Sequence, residues 1–224
     1  MKKISFILFL FIGTSSFAQG GFKFKKKIFG YTIDQILVMT NAADSSLYID
    51  DLITKLFTPD STLTDFEIAM GYYGYVMQPD YNPDKYIGLE LQVMRLNDDK
   101  DWKMAKKAAD SLITQYPTCL MGHVELAHAY NSLQDTGKAA THRLIYERLG
   151  DVIFQTGDGK SMETAYIITG LKDIEVLTQL QRMQIKKRKT KRKKDNYYEI
   201  VTVFKNFKEF DVYFDTSLIE EFRR

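Results

Sequence analysis

The chain has 224 residues, with 31 basic and 29 acidic side chains and one cysteine, Cys119. A single thiol excludes an internal disulfide, so stability has to come from a packed core, and the length suffices for one large domain or two small ones. The charges nearly balance, but the balance is uneven along the chain.

The opening residues, MKKISFILFLFIGTSSFAQG, place Lys2 and Lys3 before an apolar run from Ile4 to Ile12 and the small-residue pattern Ser16-Phe17-Ala18. This is the pattern of a secretory signal peptide cleaved between Ala18 and Gln19. The run is shorter than the roughly 20 residues that span a bilayer, which makes a membrane anchor the weaker reading, and no later run is long enough to span. Gln19 is not a cysteine, so no lipid anchor is written at the new N-terminus. The mature chain is expected to be exported, periplasmic or secreted, without a transmembrane segment.

Residues 20–30 are rich in Gly, Phe and Lys and read as a loose mature N-terminus. Thr32-Ile33-Asp34-Gln35 has the form of a capping box, which predicts a short helix to about Ala43. A second helix starts at Asp44 or Ser45 and ends at Thr58-Pro59-Asp60. Thr64-Asp65-Phe66-Glu67 is another capping box and opens a third helix through Met77, carrying GYYGYV. Pro79 and Pro83 then place QPDYNP in an extended turn.

In DWKMAKKAADSLITQYP, the residues Trp102, Ala105, Ala109, Leu112 and Tyr116 recur at steps of three and four, one apolar stripe on a helix closed by Pro117. Two further helices, Met121–Leu133 and Gly137–Leu149, follow. Ala105 and Ala139 are 34 residues apart. His123, Leu126, Ala127, Tyr130 and Ala139 stand at tetratricopeptide spacing, where small residues permit close helix approach. The same helices fit a generic bundle equally well.

Past Gly150 the pattern changes. Ala165-Tyr166-Ile167-Ile168 reads as a short strand, and Leu171–Met183 as a helix. Tyr197–Phe204 and Phe210–Phe214 read as a β-hairpin with Asn206 and Lys208 in its turn. Ser217–Phe222 forms a final helical turn. The expected fold class is α+β. A helical, tetratricopeptide-like region over residues 19–150 precedes a small α+β unit over residues 151–224.

Four features invite a chemical reading. TGDGKS resembles the end of a phosphate loop, but the required first glycine is Phe154 and a helix, not a strand, precedes it. The bland reading is a structural turn built by Gly157, Asp158, Gly159 and Ser161. His123, His128 and His142 have no metal-ligand spacing, and Cys119 has no catalytic signature, so no metal and no cofactor are expected. Tyr72, Tyr75, Asp80 and Tyr81, within the segment 71–83, could form an aromatic platform for a sugar or peptide. The alternative is that these tyrosines pack the helix against its turn, which is the commoner use of such spacing. Finally, Lys186, Lys187, Arg188, Lys189, Lys191, Arg192, Lys193 and Lys194 make eight basic residues in nine, leaving the rest of the mature chain net acidic. The run reads as a solvated loop between helix and strand. If it is functional, it offers weak contact to polyanions or anionic surfaces rather than specific nucleic-acid recognition, since no aromatic interleaving marks a stacking surface.

GYYGYVMQPDYNP and TGDGKSMETAYII, with TLTDFE just before the first, resemble the signature segments of the domain-of-unknown-function 4919 family of small exported bacterial proteins. The resemblance spans about Ile33 to Phe214. It implies a signal peptide, an aromatic helix, a tetratricopeptide-like middle and a turn leading into strands. It implies no activity. The basic run looks particular to this chain.

The expectation is an uncharacterised exported protein acting as a non-enzymatic interaction module of the cell envelope, with a protein partner on its helical surface. The alternatives are a small-molecule or glycan binding module using the tyrosine-rich segment, and an enzyme of unrecognised type, whose groups need only meet in space.

Overall fold

The computed structural model describes residues 24–58, 62–76, 78 and 81–223. The Ala18–Gln19 junction and Asp80 lie outside the described residues. Among those described, nine helices and four strands follow one another. They are α1 (Ile33–Asn41), α2 (Ile49–Leu56), α3 (Asp65–Tyr75), α4 (Pro83–Asp98), α5 (Trp102–Gln115), α6 (Leu120–Ser132) and α7 (Thr136–Phe154). Then come β1 (Tyr166–Ile167), α8 (Asp173–Leu180), β2 (Gln184–Lys193), β3 (Asn196–Lys205), β4 (Lys208–Asp215) and α9 (Ser217–Phe222). The protein is α+β, helices first and sheet last.

Both capping boxes form. The Thr32 and Thr64 side chains accept from the amides of Gln35 and Glu67, whose own side chains reach back to the cap amides. α2 begins later than its composition implied, at Ile49, without a side-chain cap.

α4 stands directly after the tyrosine-rich turn, where the hydrophobic pattern marks no helix. Asn82 caps it by accepting from the amides of Asp84 and Lys85, and Pro83 presets the first helical φ. Its buried residues are Pro83, Tyr86, Glu90, Val93 and Asn97, at helical steps. Two of the five are polar, which breaks the apolar stripe.

With α4 in place, the middle of the chain becomes two hairpins, α4–α5 and α6–α7. Each hairpin turn is a Schellman closure with a left-handed residue, Lys100 (φ 60°) and Gln134 (φ 65°). In the first, the Asp101 amide donates to Leu96 O at 2.9 Å; in the second, 34 residues on, the Asp135 amide donates to Tyr130 O at 2.9 Å. Both aspartates then cap the following helix. The tetratricopeptide-like repeat is therefore carried by backbone geometry as well as by the buried small residues Ala105 and Ala139.

The strands form one sheet in the order β1-β4-β3-β2, with β1 parallel to β4 and the other pairs antiparallel. The β3–β4 turn uses Asn206 and Phe207 at φ 52° and 61°, the primed-turn geometry that matches strand twist.

The basic run at 186–194 is not a loop. Up to Lys193 it is the body of β2, in register against β3 from Gln184↔Phe204 to Lys193↔Asn196, with a bulge between Ile185 and Lys187, and Lys194 turns the chain into β3 at φ 57°. An edge strand needs only backbone pairing on one side, so side chains that could never be core can still build it.

The described part of the N-terminal segment is not loose either. Phe24 and Ile28 are buried, the Lys26 ammonium pairs with Asp215 at 2.8 Å, and the Phe24 amide donates to Glu221 Oε2 at 3.1 Å. Side chains from this segment, from the helices and from β3 and β4 share one hydrophobic core.

Candidate functional site

The tyrosine-rich helix α3 lies inside the protein, with Ile68 through Gly74 all buried. Tyr72 is 0% exposed, Tyr81 8% and Tyr75 half-buried, which fits the packing role weighed against a ligand platform for these tyrosines. Their hydroxyls are spent on the chain itself. Tyr72 donates to Asp173 Oδ2 at 2.5 Å and accepts from the Thr169 amide at 3.0 Å. Tyr73 donates to Ile167 O at 2.8 Å, and Tyr81 donates to Thr169 O. Tyr75 and Tyr86 both donate to Gln115 O, at 2.7 and 3.0 Å. Tyr116 pairs with Thr169 Oγ1 at 3.1 Å and stacks beside Tyr75 and Tyr86. A buried hydroxyl has to find a partner, and here the partners lie in the 167–173 turn that joins helices to sheet. The segment is a structural joint.

Asp173 holds that joint, accepting the Gly170 amide at 2.8 Å as well as the Tyr72 hydroxyl. Burial raises its carboxyl to about 7 despite these bonds. Glu90, in α4, accepts the Cys119 thiol at 3.2 Å and is raised by burial to about 8. Burial, with the Glu90 charge beside it, pushes the Cys119 thiol well up. Neither carboxylate has a sequence signature. Asp173 looks like an ordinary acidic first-turn residue, and Glu90 like a solvated helix face.

His123 and His142 meet in the α6–α7 hairpin, Nδ1 to Nδ1 at 3.0 Å. Pro117 O lies 2.8 Å from His123 Nε2 and can only accept, so that nitrogen carries the proton. Neutral His123 therefore offers a bare Nδ1, and His142 donates to it. Burial lowers His123 to about 3 and lowers His142 as well. His128 does not join this pair. Among the described residues, no group of His, Cys, Asp and Glu side chains is placed to hold a metal ion.

The TGDGKS segment closes on itself. The Asp158 and Gly159 amides donate to Thr164 O, and the Lys160 amide and Thr164 hydroxyl donate to Asp158 Oδ1. Ser161 Oγ accepts from the Glu163 and Thr164 amides. A Cβ on Gly157 would lie 2.2 Å from Thr164 O, and Gly159 has φ +67°, so both positions need glycine. The amides of Asp158, Gly159 and Lys160, which a phosphate would need, are already used. Gly159 O accepts from the Tyr213 amide at 2.9 Å, which ties the turn to β4.

The remaining predicted group is the basic strand. From Lys186 to Lys194 every basic side chain is exposed. After the bulge, alternation puts Lys187, Lys189, Lys191 and Lys193 on one face and Arg188 and Arg192 on the other. Arg188 pairs with Glu175 at 3.0 Å, Lys189 with Asp211 at 3.6 Å and Lys193 with Glu163 at 2.7 Å. Lys186 lies over the Phe204 ring and Arg192 over Tyr197. Lys186, Lys187, Lys191, Arg192 and Lys194 make no ion pair among the described residues.

Helical hairpins joined through a tyrosine joint to a mostly antiparallel sheet define the class, an α+β protein. No helix among the described residues is long and apolar enough to cross a membrane. Residues 34–223 match the model of a family described as domain of unknown function (DUF4919), and the chain belongs to that family. No curated protein and no solved structure matches the chain.

Proposed function

We propose that this chain is an exported, non-enzymatic interaction module of the cell envelope, and that β2 is its contact surface. The observation that carries the reading is β2 itself. Its basic side chains are held in fixed register on a paired strand, all exposed, with several making no ion pair among the described residues. Charge presented this way steers and selects an anionic partner. The leader pattern at residues 1–18 supports export. A binding role is also supported by the interior. Asp173, Glu90 and His123 are buried, and each spends its hydrogen bonds on neighbours in the core. The tyrosine segment supports a ligand site less, because the hydroxyls of Tyr72, Tyr73, Tyr75 and Tyr81 bond to the chain itself.

The test is a cross-linked pull-down of the tagged protein from its own envelope, beside a variant with glutamine at all eight basic positions from Lys186 to Lys194. A defined partner held by the intact chain and lost by the variant is expected. A partner retained equally by both would move the contact off β2. Turnover of any substrate that disappears on a point change in the core network would overturn the non-enzymatic reading.

A further inference from the structure

The two edges of the sheet are treated differently. β1 is two residues long, and its groups are closed by side chains: the Ile167 amide donates to Thr156 Oγ1 at 3.0 Å, and Ile167 O accepts from Tyr73. β2 is ten residues long and, among the described residues, pairs only with β3. Among the described residues, its backbone makes no hydrogen bond to anything else. Alternate residues of an antiparallel edge strand turn their N–H and C=O outward, so about half of the strand's backbone groups face solvent in a row. Ile185 apart, every side chain along it is exposed, so nothing among the described residues covers that edge.

Charge decides what can occupy it. A second copy of the chain would set basic residue against basic residue along the shared edge, and like charges directly opposite are destabilising. The same row favours an acidic strand on both faces. Among the described residues, Lys187 and Lys191 on the lysine face and Arg192 on the other make no ion pair. The edge therefore excludes its own kind and admits an oppositely charged strand, discrimination by sign of charge.

We propose that β2 is a docking edge for an extended acidic polypeptide segment, which adds as a fifth strand beside it. This rests on the reading of β2 as the contact surface and goes further by naming the mode and the partner's chemistry. Main-chain hydrogen bonds supply the affinity, and carboxylates on the incoming strand supply the selection. A segment of about eight to ten residues matches the length of the edge at the usual strand rise.

The probe is a synthetic peptide of about ten residues in which Glu-Glu pairs alternate with single Val, so that both faces carry carboxylates, sized to the edge. It is titrated into the purified full chain by anisotropy, with amide hydrogen exchange read on β2. Beside it run the same peptide N-methylated at every amide, and inorganic polyphosphate. The expected result is binding by the parent peptide with new protection of β2 amides, and weakening by at least about thirtyfold on N-methylation. Lys187→Gln/Lys191→Gln/Arg192→Gln, at exposed positions that the core does not use, should fold normally and bind the parent peptide roughly tenfold more weakly. Equal binding by the N-methylated peptide would sink strand addition while leaving β2 a charged contact. So would binding of polyphosphate alone. Undiminished peptide binding by the triple variant would overturn both this inference and the contact surface beneath it.

Discussion

Replacing Asp173 with asparagine removes a buried carboxylate while keeping an oxygen for the Tyr72 hydroxyl and the Gly170 amide, both of which bond to the same Asp173 atom. Burial holds this carboxyl at about 7 in the folded chain, against an ordinary 3.8. The folded state therefore binds the proton more tightly than the unfolded state. The resulting stability is fully present below the unfolded value and is lost as pH rises through the folded one. A shift of about three units corresponds to roughly 4 kcal/mol once pH is well above 7. Glu90 acts in the same direction, at about 8 against 4.5. His123 acts oppositely, but only below its ordinary 6.5, because its folded value is about 3. The two signs offset each other in mild acid, so the window from about pH 6.5 to about pH 8 isolates the carboxyls. Across it, wild-type stability should fall by about 2 kcal/mol, roughly a third of it from Asp173. Asp173→Asn should lose correspondingly less. The assay is urea unfolding of both proteins at the two ends of the window, comparing midpoints at constant m-value. Wild-type stability that is flat or rises across the window, or identical slopes in the two proteins, would refute the account of a desolvated carboxyl at the joint.

Tyr72→Phe keeps the ring but leaves the Thr169 amide short of an acceptor and Asp173 short of a donor, so it should cost about 3 kcal/mol. A loss below about 1 kcal/mol in chemical denaturation would show that the joint is not held by that hydroxyl. Gly157→Ala forces a Cβ to 2.2 Å from a backbone oxygen and should cost about 2–4 kcal/mol, seen as a fall in Tm. An unchanged Tm would mean the turn can shift without penalty. Cys119 is 1% exposed, with its thiol pushed up by burial, so a thiol reagent should label it only as fast as the chain unfolds. Rapid labelling under native conditions would contradict that burial. Glutamine at Lys187, Lys191 and Arg192 should move stability by less than about 1 kcal/mol, because exposed charges contribute little to folding. A large loss would mean these side chains hold the sheet.

Much of the chain was legible where the signal is local. The boxes at Thr32–Gln35 and Thr64–Glu67 place oxygen acceptors three residues from orphan amides, and both helix starts follow from that spacing. The alternating apolar residues of β3 and β4 and the turn at Asn206 likewise set a hairpin from neighbours in sequence. Trp102 to Tyr116 shows its stripe outright, and α5 occupies it.

The parts that escaped depend on partners far along the chain. α4 buries Glu90 and Asn97 on its inner face, because Cys119 and Glu125 answer them with hydrogen bonds 29 and 28 residues away. A polar residue with a distant partner is indistinguishable, in sequence, from one facing water. β2 is the converse case. Nothing in a run of lysines and arginines proposes a strand, and it becomes one because β3, buried on its other side, supplies a row of backbone partners. The tyrosines follow the same rule. Their spacing establishes a helix, but only the approach of the 167–173 turn decides that their hydroxyls point at Asp173 and Thr169 rather than at a ligand. Local hydrogen bonding and periodicity are written in adjacent residues, so the sequence alone determined the capped and striped helices, the hairpin and the basic run, but not α4. Burial of polar groups and the pairing of an edge are settled between segments, so only the tertiary structure decided that the tyrosine segment is a joint and the basic run an open strand.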